Sequence, residues 1–302
     1  MGDDDIEIIS EHGKDELAKV YVGAPNGDRD QKVEFVESVQ PPRSREEKWV
    51  LIVSSLYGCP VGCLMCDAGG DYKGRVSKED ILKQVDFLVT NRYPDRNLPQ
   101  KKLKIQFARM GEPALNPSVL DVLEELPERY NAPGLLPCVS SVAPNNSLPF
   151  FKKLKEIKDT LYPNGRFQLQ FSIHTTDPVK RDTLIPFPKW EMEEIAQFGK
   201  EWFEPGDRKV TLNFALAQGY PLDVERIKAT FDPEHFLIKL TPINPTNKAQ
   251  ENELRTAIDP EDPDSAKEIV RSFKELGFDV ILSIGEVEEN QIGSNCGMYL
   301  TK

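Results

Sequence analysis

Histidine is scarce, positive charge is in deficit, and long apolar runs are missing. The 302 residues include three histidines, His12, His174 and His235. They are too few and too scattered to complete a zinc centre of the usual Cys/His composition. Lysine and arginine number 38 against 50 aspartates and glutamates, a formal net charge of −12. That balance argues against nucleic acid as a partner, because neutralising phosphates supplies much of such affinity. The local runs Lys101-Lys102 with Lys104, and Lys152-Lys153 with Lys155, read as solvated helix faces and loop tips. No apolar run approaches a membrane span, so the chain reads as soluble with no membrane partner. The acidic start MGDDDIEIIS excludes an ordinary secretory signal and counts against myristoylation at Gly2. There is no internal repeat and no low-complexity tract.

What is present is a cysteine triplet, Cys59-Pro60-Val61-Gly62-Cys63-Leu64-Met65-Cys66, spaced C-x3-C-x2-C. Three thiolates on one short loop can hold three irons of a [4Fe–4S] cube and leave the fourth open to a small chelating molecule. Zinc prefers four ligands, and the other two cysteines, Cys138 and Cys296, lie far away in sequence. Five cysteines with three in one loop do not make a disulfide scaffold. A reducing cytoplasm is the natural compartment for such a cluster.

The pattern along the chain is strand–helix alternation. Residues 1–47 are charged and irregular, with one β segment at 32–39 and a break at Pro41-Pro42. Strands are predicted at 49–55, 103–108, 136–142, 167–173, 209–215 and 235–240, with a terminal strand at 278–284. Helices are predicted at 78–90 with Ser77 as N-cap, 118–126, 148–161, 223–230 and 263–276, with helical segments through 203. Six such alternations imply parallel strands with right-handed crossovers, an open (β/α)6 partial barrel over 48–302 preceded by an extension over 1–47. Ligands in such folds lie at the C-terminal ends of the strands, where the cysteine loop falls.

After the second of these strands comes Arg109-Met110-Gly111-Glu112-Pro113. Gly111 permits close backbone approach, Glu112 offers a carboxylate to an ammonium group, and Pro113 fixes the turn. The triplet resembles the signature of the radical S-adenosylmethionine (SAM) superfamily. An ordered set narrows the likeness: Val53-Ser54-Ser55, Met110-Gly111-Glu112-Pro113, Ser172-Ile173-His174 before Arg181-Asp182-Thr183-Leu184, Pro242-Ile243-Asn244-Pro245, and Cys296-Gly297. From about residue 36 to 297 the chain resembles the radical SAM RNA adenine methyltransferases.

That resemblance implies a [4Fe–4S] cluster on Cys59, Cys63 and Cys66, and SAM held by Gly111, Glu112, Pro113, Ser172, His174 and Asn244. The family's serine on the third strand falls at Cys138 or Ser140, depending on register. Met65 takes the place of an aromatic that packs on the adenine. Cys296 matches the cysteine that carries a methyl group to the substrate, and Glu37 matches the active-site glutamate. The family resolves its adduct with a cysteine seven residues before the first cluster ligand, where this chain has Ile52. The segment 284–291 (IGEVEENQ) is acidic where the family is basic, and 47 residues leave little room for its RNA-contacting domain. The sequence therefore predicts a radical SAM enzyme on a small metabolite or natural-product intermediate, reduced by a donor such as flavodoxin or ferredoxin. An RNA adenine methyltransferase with altered adduct resolution, and a non-enzymatic metal or redox module, are the alternatives.

Overall fold

A computed structural model describes residues 6–285, 287–294 and 299–300. Three strands lead the chain: β1 (Ile6–Lys14), β2 (Ala18–Pro25) and β3 (Val33–Val39). β4 (Trp49–Val53) follows, then a short hairpin of β5 (Leu56–Cys59) and β6 (Gly70–Arg75). The remaining elements are α1 (Lys78–Thr90), β7 (Leu103–Phe107), α2 (Ser118–Arg129), β8 (Leu135–Ser141), α3 (Leu148–Leu161), β9 (Gln168–Ser172), α4 (Pro178–Leu184) and α5 (Met192–Trp202). They continue with β10 (Val210–Leu216), α6 (Val224–Thr230), β11 (Phe236–Pro242), α7 (Asn247–Glu251), α8 (Lys267–Glu275), β12 (Asp279–Leu282) and α9 (Val287–Ile292).

All strands except the hairpin join one 10-stranded sheet in the order β1-β2-β3-β4-β7-β8-β9-β10-β11-β12. The first four pair antiparallel. From β4 to β12 every pair is parallel. Spatial order follows chain order throughout, so the sheet winds one way and has no topological switch point.

The local chemistry accounts for the helices. Ser77 accepts the Asp80 N–H at 3.0 Å and starts α1, whose Ile81, Leu82, Val85, Leu88 and Val89 are buried. Glu191 and Glu194 form a capping box ahead of α5. The strands alternate sharply. Trp49, Leu51 and Val53 of β4, Leu103, Ile105 and Phe107 of β7, and Phe236, Ile238 and Leu240 of β11 belong to one apolar core shared with the helices. Intervening residues face the other way, and there the side chains are largely polar: Gln106, Gln168, Gln170, Thr211 and Asn213.

Two expectations change. Residues 6–47 are not irregular: they hold three strands that extend the same sheet through the β3–β4 pairing. β1 escaped notice because its run IEIISEHGK carries charged residues and only Ile6 of it is buried, as in edge strands. The parallel set is also larger than six. Leu237–Leu240 pairs in parallel with Asp279–Leu282, so the terminal strand continues the array.

Candidate active site at the cysteine loop

The loop leaves the C-terminal end of β4 and is braced from below. Ser54 and Ser55 are buried, and the Ser55 and Leu56 N–H groups donate to the Met110 carbonyl at 2.8 and 3.2 Å. Met110 N–H returns a bond to Ser54 Oγ at 3.2 Å. The β4 and β7 loops are therefore stitched together where the two motifs meet. Gly111 has φ +96°, and a Cβ there would lie 2.4 Å from Leu56 Cβ, so the close approach predicted for it is real. Gly58, at φ +72°, lets the β5–β6 hairpin close, since a Cβ would meet the Asp71 carbonyl at 2.4 Å.

Cys59 is buried and Cys63 and Cys66 are partly buried, none of them joined in a disulfide among the described residues. They share a small apolar cluster with Met65, Met110, Val142, Leu184 and Ile185. Burial pushes the Cys59 thiol up to about 11, against backbone N–H donors from Val61, Glu112 and Gly62. Burial, then the neighbouring Cys66 and Cys59 thiols, pushes Cys63 up as well. Thiolates so placed need a cationic group to hold their charge. Among the described residues no three His, Cys, Asp or Glu side chains gather as around a single ion. A cube spreads its cysteines over separate irons, so the donor set, its amide bonds to sulfur and its spacing fit that group.

Three neighbouring segments enclose the loop. Leu64 N–H donates to the Leu184 carbonyl of α4 at 3.0 Å. Thr246 Oγ1 donates to the Met65 carbonyl at 2.8 Å, and Asn252 Nδ2 to that of Leu64 at 3.1 Å. Asp67, directly after Cys66, caps α7 by accepting from Asn247 and Lys248 N–H at 3.2 and 2.8 Å. Asn244, in the segment joining β11 to α7, is thereby brought near Met65, which packs on Ala215, Ile243 and Ala249.

Glu112 is buried; its carboxylate accepts from Ala114 N–H at 3.0 Å and Val142 N–H at 2.9 Å. Burial raises its pKa, against the hydrogen bond from Ser141. Pro113 opens the short helical turn behind it. His174 sits at φ +67° and accepts from Ala215 N–H at Nδ1, 3.0 Å. Burial, then Arg181, drives its pKa down to about 3, so the ring is neutral at physiological pH. Ser172 ends β9, paired with Asn213 of β10. Cys138 and Ser140 both face inward on β8, paired with Gln168 and Gln170. The Ser140 Oγ and Asn213 Oδ1 atoms are buried and lack a hydrogen-bond partner among the described residues.

Glu37 is not brought to this site. Its carboxylate accepts from Arg92 Nε and Nη2 at 2.6 and 2.7 Å, Tyr21 Oη at 3.1 Å and Trp49 Nε1 at 3.1 Å. It pairs with Leu51 and projects toward the helices, because the pleat sends odd residues of β3 that way. The glutamate on the inner face is Glu34. It is fully buried and accepts from Arg109 Nη2 at 2.6 Å and from Leu300 N–H at 2.8 Å. Arg109 also donates to the Ser294 and Gly293 carbonyls at 3.1 and 2.9 Å. Cys296 itself lies outside the described residues. Ile52 packs with Val20, Val36, Ile292 and Tyr299, so an apolar contact to the C-terminal segment fills that position.

Sequence reasoning missed Glu34, Arg109 and the inward amides. The signal for the amides was present: FQLQFSI and VTLNFA alternate polar with apolar, whereas strands buried on both faces read as continuous apolar runs.

No protein-family model matches the chain. It is similar to curated proteins named "Probable dual-specificity RNA methyltransferase RlmN". With that of Prochlorococcus marinus (strain MIT 9515) it shares 28% identity over 189 residues, 62% of this chain and 51% of the relative. With that of Desulfitobacterium hafniense (strain DSM 10664 / DCB-2) it shares 26% over 266 residues, 84% and 68%. The chain spans about half the length of the first of these relatives. Its fold matches the crystal structure of a radical SAM methyltransferase from Sphaerobacter thermophilus with a TM-score of 0.75 at 18% identity, covering 98% of this chain and 82% of that one. The chain resembles the radical SAM RNA methyltransferases. Radical SAM methyltransferases use SAM and a [4Fe–4S] cluster. The relatives' names carry RNA, which gives no support to the expected small-molecule substrate. Among the described residues no helix is long and apolar enough to cross a membrane.

Proposed function

We propose that the chain is a radical SAM methyltransferase-like enzyme on a partial barrel, with 48–302 as the catalytic unit and 1–47 as an accessory layer. One observation carries this reading. The three-cysteine loop at the end of β4 is met by the Gly111–Glu112 turn on one side and by the β11 loop on the other. Contact between the loops after β4 and β11 supports a curled sheet, since these strands are far apart in its order. So does the burial of Gln170, Thr211 and Asn213 on the face that the helices do not cover.

In this reading Cys59, Cys63 and Cys66 hold the cluster, which with SAM supplies one-electron and radical-forming chemistry when bound. Glu112, oriented by two backbone N–H groups, keeps lone pairs for an ammonium group. Gly111 keeps that turn flush against Leu56. Met65 packs against the adenine, while Ser140, Ser172, His174 and Asn244 line the cofactor's length. Neutral His174 orients through its ring N–H and moves no proton at neutral pH. Cys296 is the methyl-carrying thiol. Cys138, on the inner face, is the remaining thiol, since Ile52 can form no disulfide. Reduction falls to an external donor of the flavodoxin or ferredoxin kind. The polar inner face favours a small polar substrate; the relatives' names favour RNA as the second reading.

Anaerobic reconstitution with iron and sulfide tests the cluster by metal content and absorbance. A preparation that takes up zinc alone, or that yields no 5′-deoxyadenosine from SAM and reductant with candidate substrates present, removes the basis of this function. RNA binding that weakens steeply with salt selects the second reading.

A further inference from the structure

Two buried side-chain amides stand out because the fold does not satisfy them. Leu169 and Phe171 of β9, and Leu212 and Phe214 of β10, lie in the apolar core. The pleat therefore turns Gln170 and Asn213 to the opposite, inner face. They are 7% and 8% exposed. Neither side-chain amide has a hydrogen-bond partner among the described residues, and the Asn213 Oδ1 atom is wholly buried. On the helix side the chain treats such a group differently. Gln84, also buried, accepts from Ser54 N–H at 2.9 Å and donates to the Ser54 and Asp80 carbonyls at 3.1 and 3.2 Å.

Strand register brings the two amides together. Gln170 pairs with Ser140 of β8 on one side and Thr211 of β10 on the other. Asn213 comes two residues after Thr211, so it is the diagonal neighbour of Gln170, about 7–8 Å away between backbones and within reach of long side chains. Ser140 Oγ, beside Gln170, is likewise buried without a partner among the described residues. Ser172, beside Asn213, ends β9. Both serines were given to the cofactor above, so the amides adjoin the cofactor's place. A buried amide left unpaired opposes folding, and native chains rarely keep one without a ligand or an ordered water to meet it.

We propose that Gln170 and Asn213 form the recognition seat for a neutral carboxamide group of the substrate. The substrate role rests on the radical SAM reading; the seat itself does not. Each side-chain amide presents an N–H donor beside a C=O acceptor in one plane. A carboxamide returns the same pair reversed and satisfies both atoms at once. A carboxylate offers no donor and an ammonium group no acceptor, so either would leave half of each amide unmet. Lys239 stands opposite Asn213 on β11, so an acid is the proper competitor in the test.

Nicotinamide is the probe, compared with nicotinate, with the corresponding methyl ketone and with adenosine. Calorimetry and ligand-observed NMR read binding to the full chain without iron or reductant. Nicotinamide binds, and the acid and the ketone bind about tenfold more weakly or less, the scale of a hydrogen bond left unmade. Gln170→Leu weakens nicotinamide by about the same factor. Asn213→Leu does so too, and serves should Gln170→Leu fail to fold; it also raises the Tm of the probe-free protein, because it removes a buried acceptor without a partner. Exposed Gln197→Ala leaves binding unchanged. No binding of nicotinamide, equal binding of nicotinate or adenosine, equal binding by the leucine variants, or displacement of the probe by SAM overturns the proposal. Iron uptake and 5′-deoxyadenosine formation are measured separately, so failure of the seat and failure of the cluster reading are seen apart.

Discussion

Arg109→Met tests whether one buried ion pair secures the C-terminal segment to the sheet. The Arg109 and Glu34 side chains are 2% and 0% exposed. Glu34 takes Arg109 Nε and Nη2 at 3.2 and 2.6 Å on one oxygen, and the Tyr299 and Leu300 N–H groups on the other. Removing Arg109 leaves a buried carboxylate with two backbone donors and frees the carbonyls of Gly293 and Ser294. Breaking one side of a buried pair costs about 3–5 kcal/mol, and the two surviving donors place this case near the lower end. Adding Glu34→Gln removes the stranded charge, so the double variant recovers to within about 1–2 kcal/mol of the wild type. Urea unfolding with an unchanged m-value reads the stability. Hydrogen exchange at the Tyr299 and Leu300 amides reads the anchoring: both lose protection in Arg109→Met. The reasoning is refuted if Arg109→Met lies within about 0.5 kcal/mol of the wild type, or if the double variant loses more than the two singles together.

Other outcomes follow from the same geometry. Gly111→Ala forces a Cβ onto Leu56 at a left-handed backbone; it costs about 1–3 kcal/mol and lowers iron retained after reconstitution, read by unfolding and metal analysis. Cys63→Ser removes one iron ligand, so iron content and cluster absorbance fall while the helical circular dichroism stays, because the apolar core lies elsewhere. His174 has a folded pKa of about 3 against 6.5 unfolded, so the unfolded state binds the extra proton between these values. Its contribution is complete above pH 6.5 and is lost as pH falls toward 3. His174→Asn tolerates the positive φ and flattens that part of the stability profile, measured by urea midpoints across pH.

The positions of the cysteine loop and the Gly111–Glu112 loop were legible because the patterns are local: three cysteines fall within eight residues, and glycine precedes glutamate after a strand. Helix α1 and its Ser77 cap were legible for the same reason: an N-cap acts within one turn. β1 was not, because an edge strand is stabilised by the strand beside it rather than by its own composition. Motif likeness pointed to Glu37, and only the pairing of Val36 with Ile52 shows that Glu34 is the glutamate that looks inward.

The sequence by itself determined the elements that depend on neighbours in the chain: the cysteine triplet, the strand–helix alternation and the turns that demand glycine. Tertiary structure alone decided which side chains share a space. It put Arg109 on Glu34, packed Ile52 against the cluster that holds Ile292, and set Lys102 and Lys104, partly buried, on the face away from the helices. The physical reason is the pleat: side chains alternate with period two, so facing depends on a pairing register set by strands distant in sequence.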